Sequence, residues 1–243
     1  MNEYKADLHI HSVLSPCGSL EMSPINIVNK AVEKKLDIIA ITDHNSTANL
    51  NAFESLKRDD ISFLFGMELQ TMSETHLIIL FDELEDALEF GEIIYKKLPD
   101  TKNNPEIFGD QVVVDKDENI IRMEEKLLVQ SVEIDINEAV EIVHEMNGIV
   151  IASHINRDTY SIISQLGFIP EDSNIDGYEI DSNISITDAR KKYGNYPYVR
   201  NSDSHYIDDV GKNYTTFFIE KPCVEEIKKA FLNIDRRKII YDG

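Results

Sequence analysis

Short runs of β-branched residues alternate along this chain with amphipathic stretches of ten or more residues, and each of several runs ends in a histidine or an acid. That alternation is the signature of βα units around a mainly parallel sheet. The first unit sets the pattern. Ala6 to His11 reads as a strand, Ser23-Pro24 supplies an N-cap and a first-turn proline, and Ile25 to Leu36 places Ile25, Val28, Val32 and Leu36 at helical spacing before the next strand, Asp37 to Thr42. Phe63 to Leu69, His76 to Phe81, Ile149 to His154, Gly177 to Ile180, Tyr198 to Ser202 and Thr215 to Ile219 continue the series. Asn137 to Met146 reads as a helix that stops at Asn147-Gly148 in a left-handed turn. The expected fold class is α/β, barrel-like, with residues 1–243 forming one domain.

One stretch breaks the rhythm. Pro99 to Met123 is rich in Asn, Pro and Asp, and its two short apolar runs, Gln111 to Asp115 and Asn119 to Arg122, flank a polar turn. We read it as an inserted hairpin at about 99–123, a surface elaboration in preference to a substrate lid.

Composition narrows the setting. Lys plus Arg number 24 against 45 Asp plus Glu, a net charge of −21, which opposes loose binding to polyanions, so nucleic acid is disfavoured as a partner. Cys17 and Cys223 lie far apart, and Met1 to Asp7 is polar with no signal-peptide core, so free thiols and a cytoplasmic location are expected. The apolar runs are of strand length, and no membrane span is expected. No oligomeric state follows.

The chemistry gathers at the strand ends. In Asp7-Leu8-His9-Ile10-His11, period two sends Asp7, His9 and His11 to one face and Leu8 and Ile10 to the other. The next strand ends in Thr42-Asp43-His44; Glu68 closes the third and His76 opens the fourth. Ile149 to His154 ends in an imidazole, and Asn201-Ser202-Asp203-Ser204-His205 ends in an acid and an imidazole. Six of the seven histidines therefore lie near strand ends, and His144, inside a helical pattern, is assigned to the surface or to packing. A shared metal site at the carboxyl ends of the strands accounts for this distribution.

These blocks, in order, resemble the PHP family, the polymerase and histidinol phosphatase group of metal-dependent phosphoesterases. The resemblance implies a distorted (βα)7 TIM-like barrel and two or three divalent metal ions, and mixed imidazole and carboxylate donors suit Zn, Mn or Fe. It further implies that His9, His11, Glu68 and Asp203 hold a first ion, that Glu68, as a bridge, with His76 and His154 holds a second, and that His44 and His205 serve a third. Two positions depart from the family pattern. Ser15-Pro16-Cys17-Gly18 stands where many members carry Asp or His, which makes Cys17 either a sulfur ligand or a packed thiol. Ile155-Asn156-Arg157 follows His154 where many members have proline, and Arg157 is placed to clamp an anionic substrate.

The function so implied is hydrolysis of a phosphate monoester of a small metabolite by metal-bound hydroxide. Asp7 and Asp43 would orient imidazoles, and His205 would protonate the leaving group. Two alternatives accompany it: a phosphodiesterase or exonuclease using the same cluster, and a non-catalytic, metal-stapled scaffold that binds a partner.

Overall fold

A computed structural model describes residues 1–241 of the chain. Eleven strands occur among them: β1 (Asn2–Ile10), β2 (Ile38–Ile41), β3 (Ser62–Gln70), β4 (His76–Phe81), β5 (Val112–Val114), β6 (Ile120–Met123), β7 (Ile149–Ala152), β8 (Gly177–Glu179), β9 (Tyr198–Val199), β10 (Thr215–Ile219) and β11 (Lys238–Ile240). Nine form one barrel-like sheet in the order β11-β10-β1-β2-β3-β4-β7-β8-β9, and β5 and β6 pair separately. The architecture is the expected α/β barrel type with an inserted hairpin, and no described helix is long and apolar enough to cross a membrane.

The sheet is less parallel than the βα rhythm suggests. β1, β2 and β3 run parallel, as do β7, β8 and β9, but β4 lies antiparallel between β3 and β7, and β10 and β11 close the other side antiparallel. The reason is local: only Thr71 to Thr75 joins β3 to β4, too few residues for a parallel crossover. Reversal of β4 is what brings His76 to the mouth, because its first residue pairs with Gln70, the last of β3.

Strand residues of alternating parity feed two apolar clusters. Ile39, Ile41, Phe63 and Phe65 pack in the larger; Ile38, Ala40, Leu64, Ile78, Leu80 and Ile151 pack in the smaller, closed by the helix Val224–Leu232. β1 violates this alternation. Leu8 belongs to the smaller cluster and Ile10 to the larger, although strict period two puts them on one face. The cause is a register shift against β2: Asp7 opposes Ile39 but Ile10 opposes Ile41, so β1 carries one extra residue. A bulge of this kind re-aims side chains.

Helix boundaries follow capping chemistry. Pro24–Glu33 starts after Ser23, whose hydroxyl makes no capping bond, so Pro24 in the first turn marks the start. Ile136–Glu145 is capped by the Asp135 carboxylate, which accepts from Glu138 N–H, and Asn147 beyond it takes φ 60°. His144 on this helix places Nε2 2.8 Å from Asp176 Oδ2, away from the strand-end cluster.

Candidate active site

Glu68 sits at the centre of the barrel mouth, buried and ringed by five imidazoles. Its Oε1 lies 3.3 Å from His9 Nε2, 3.0 Å from His76 Nδ1 and 3.2 Å from His154 Nε2, while Oε2 lies 3.5 Å from His11 Nε2 and 3.1 Å from His44 Nδ1. Asp203 Oδ1 is 3.3 Å from both His9 Nε2 and His11 Nε2. The His205 ring stacks on His11 with centroids 4.1 Å apart. Three donor triads result: His9-His11-Asp203, His44-Glu68-His76 and His11-His44-His205.

Hydrogen bonds fix which nitrogen of three imidazoles faces the centre. Both Glu179 oxygens lie 3.1 Å from His9 Nδ1, and a carboxylate only accepts, so Nδ1 carries the proton and Nε2 presents a lone pair. Ser15 Oγ donates to Asp43 Oδ1 at 2.6 Å and lies 3.0 Å from His11 Nδ1, which therefore donates to it. His205 Nδ1 lies 3.0 Å from the Asp203 carbonyl and must donate there. The resulting lone pairs of His9 Nε2 and His11 Nε2 stand only 3.1 Å apart.

Two facing lone pairs repel unless a cation or a proton lies between them. Several buried atoms nearby likewise make no hydrogen bond: His44 Nδ1, both nitrogens of His76, His154 Nδ1 and Asp203 Oδ1. His44 Nδ1, His76 Nδ1 and Asp203 Oδ1 lie close to oppositely charged groups without hydrogen-bond geometry, an arrangement of donors aimed at common points that suits divalent cations with mixed N and O ligation.

The buried carboxylates and imidazoles shift one another in both directions. Burial pushes His9 down, but the carboxylates of Asp203, Glu179 and Glu68 outweigh it and raise its imidazole well above the usual range. Burial together with the neighbouring His205 and His44 depresses His11. Burial raises Glu68, yet His76 and His9 bring its carboxyl well below the ordinary range.

Three sequence expectations need correction or extension. Asp7 does not meet an imidazole: its carboxylate accepts from Ser202 N–H and Gly211 N–H, both at 2.9 Å, and so pins the segment that carries Asp203 and His205. The shifted β1 register is the reason, and burial raises the Asp7 carboxyl to about 6. Asp43 reaches His11 only through Ser15, and it also accepts from Ser12 N–H and Oγ. Arg157 is already partly engaged, since its Nη1 is 2.5 Å from Asp203 Oδ2, which leaves only part of its fork for an anion.

Cys17 lies exposed at the mouth. Desolvation pushes its thiol up, but hydrogen bonds with His205 and His44 outweigh this and bring it to about 6. None of the three donor triads includes it.

Glu179 is the residue the sequence reading missed. It is buried at the end of β8, where it holds His9, accepts from His154 N–H at 2.9 Å and accepts from Asn201 Nδ2 at 2.8 Å. The signal was present, because an acid closing an otherwise apolar strand matches the placement of Glu68. Glu179→Gln keeps one acceptor but turns an amide N–H₂ toward a donor, so metal affinity is expected to fall about 10–100-fold. Titration against a competing chelator measures this, and a change below about threefold would reduce Glu179 to a packing role.

Comparison with known proteins places this geometry. The PHP domain profile matches residues 7–165. An uncharacterised Bacillus subtilis (strain 168) protein, YqxK, is 21% identical over 274 residues, covering 99% of this chain and 65% of YqxK. The crystal structure of the lesion-specific endonuclease PfuEndoQ from Pyrococcus furiosus superposes with TM-score 0.67 at 19% identity, over 98% of this chain and 58% of the endonuclease. PsfC from Pseudomonas syringae PB-5123 superposes with TM-score 0.58 at 12% identity, over 100% of this chain and 93% of PsfC. The chain thus spans less than two thirds of the length of YqxK and of the endonuclease. With the profile match covering well over half of its residues and the same barrel in the solved structures, the chain belongs to the PHP domain family.

Proposed function

We propose that this chain is a metal-dependent phosphoesterase that hydrolyses a phosphate monoester of a small metabolite. The observation that carries the proposal is the convergence of His9 Nε2 and His11 Nε2, 3.1 Å apart, on the Asp203 Oδ1 that makes no hydrogen bond and on the Glu68 carboxylate. Two or three divalent ions, Zn, Mn or Fe, would be held by His9, His11, His44, Glu68, His76, His154, Asp203 and His205, with Cys17 at the rim as a sulfur donor. Bound divalent cations lower the pKa of water and stabilise the charge that develops on phosphoryl oxygens.

The remaining chemistry rests with the chain. Arg157 uses one guanidinium N–H on Asp203 and lines the same cavity, leaving other donors of its fork for phosphate oxygens. Burial depresses His205, but Cys17 and Asp203 outweigh it and raise the imidazole above its ordinary range. With two ions bound and the third absent, its Nε2 is not needed as a ligand and can carry a proton to the leaving oxygen. Glu179, and Asp43 through Ser15, keep the Nδ1 protons of His9 and His11 in place. The two free thiols support a cytoplasmic setting.

A second reading, cleavage of nucleic-acid phosphodiesters, draws on the fold shared with a lesion-specific endonuclease. The net charge of −21 favours the small ester. Near-completeness of the donor set argues against a non-catalytic scaffold. Protein reconstituted with Mn²⁺, Zn²⁺ or Fe²⁺ should bind roughly two or more ions per chain and release inorganic phosphate from small esters. Mononucleotides released from oligonucleotides, with small esters untouched, would move the assignment to the second reading. Less than about one ion per chain and no hydrolysis with any metal would remove the enzymatic reading altogether.

A further inference from the structure

The cavity above the cluster, about 400 Å³, is polar at its floor and apolar on its walls. His44, Glu68, His76, His154 and Asp203 make the floor; Ile107, Phe108 and Tyr160 contribute the apolar walls. These three side chains are unusually bare for their type, at 71%, 41% and 44% exposure, yet the chain fixes two of them firmly.

Tyr160 has φ 56°, a left-handed conformation that a bulky residue seldom adopts. It is held there by the His76 N–H, which donates to the Tyr160 carbonyl at 2.9 Å, and its ring stacks on the His76 imidazole with centroids 4.8 Å apart and planes 20° from parallel. Strain of this kind persists where the surroundings impose it and concentrates at ligand-binding sites. Opposite in sequence origin, Phe108 ends the short helix Pro105–Phe108 of the insertion. Asn104 caps that helix by accepting from Glu106 N–H, and the Gly109 carbonyl accepts from Asn103 Nδ2. Gly109 takes φ 99° and approaches so closely that a Cβ there would lie 2.1 Å from the Pro16 carbonyl oxygen. The insertion is therefore seated against the loop that carries Cys17, and it contributes to the cavity wall instead of being a surface elaboration alone.

Resting on the phosphoesterase reading, we propose that Phe108, Tyr160 and Ile107 form a preorganised slot for a planar, uncharged ring on the leaving group of the phosphate ester. Two exposed aromatic rings and an aliphatic side chain beside a charged floor match a ligand with a phosphate at one end and an aromatic ring at the other. The insertion then decides which esters are accepted, while the strand-end cluster acts on the phosphate common to all of them. A phenolic ring and a nucleobase share the chemistry that such walls recognise.

Equilibrium binding to metal-loaded protein tests this without turnover, using methylphosphonate, 2-naphthylphosphonate and a methylene-phosphonate analogue of a nucleoside monophosphate. Wild type should bind at least one ring-bearing probe about 10-fold or more tightly than methylphosphonate, and the stronger of the two arms identifies the ring. Phe108→Ala and Tyr160→Gly should each cut that ratio severalfold. Glycine suits the left-handed backbone at position 160, and metal content measured in parallel separates loss of the slot from disturbance of His76. A ratio near one in wild type, or one unchanged in both variants, overturns the slot even if small esters are hydrolysed. A ring preference that collapses in Phe108→Ala, in a protein that hydrolyses no ester, upholds the slot and removes the phosphoesterase reading.

Discussion

Replacing Glu68 by glutamine is expected to lower kcat/KM for any phosphate ester on the order of 10³-fold and to reduce metal content together with it. Among the described residues the carboxylate is the one group within 3.5 Å of ring nitrogens from His9, His11, His44, His76 and His154 at once. Glutamine is nearly the same size, so packing is kept. It removes the negative charge that offsets converging cations, and it turns an N–H₂ donor toward imidazoles whose lone pairs should face the centre. The thermal midpoint of the metal-free protein should change far less than activity does. If Glu68→Gln retains full metal content and activity within about threefold of wild type, the centre of the site lies elsewhere.

The second large effect concerns stability, at a residue two positions earlier on the same strand. A Cβ at Gly66 would fall 1.7 Å from the Ile79 carbonyl oxygen and 2.8 Å from the Ile79 carbonyl carbon. These are backbone atoms of β4, and Gly66 pairs directly with Leu80 in the β3–β4 ladder, so no side-chain rotation relieves the clash. Gly66→Ala should destabilise by roughly 3 kcal/mol or more, a fall in Tm of roughly 10 °C for a domain of this size. The same displacement shifts Glu68 and His76, which flank the clash on paired strands, so metal affinity should fall with stability. Thermal denaturation with and without metal measures both. An alanine variant within about 0.5 kcal/mol of wild type would mean that the two strands separate here at little cost.

Part of the site was legible because metal chemistry restricts residue type. Few apolar strands end by chance in histidine or an acid, and His9, His11, His44, Glu68, His154 and Asp203 each stand out at the close of such a run. Glu179 carried the same signal but stood alone, without a histidine beside it, and its role is apparent only through the 3.1 Å approach to His9. The aromatic wall was not legible. Phe108 and Tyr160 lie on segments far apart in the chain, and neither forms a sequence pattern; the cavity brings them together.

The sequence by itself determined the α/β alternation, the inserted hairpin and the set of side chains able to bind cations, because periodicity and donor chemistry are properties of local residue order. The tertiary structure decided where those donors point. Antiparallel insertion of β4 turned the first residue of that strand, His76, toward the mouth instead of away from it. One extra residue in β1 changed the face presented after Leu8, so Asp7 anchors the Ser202 and Gly211 backbone while His9 and His11 enter the cluster. Strand register is set by pairing with distant segments, and a one-residue slip reverses every side chain beyond it. No local pattern in β1 encodes its register, whereas the short Thr71–Thr75 link does require β4 to reverse, so the donor set and the turn-back of β4 were legible in the chain and the β1 register was not.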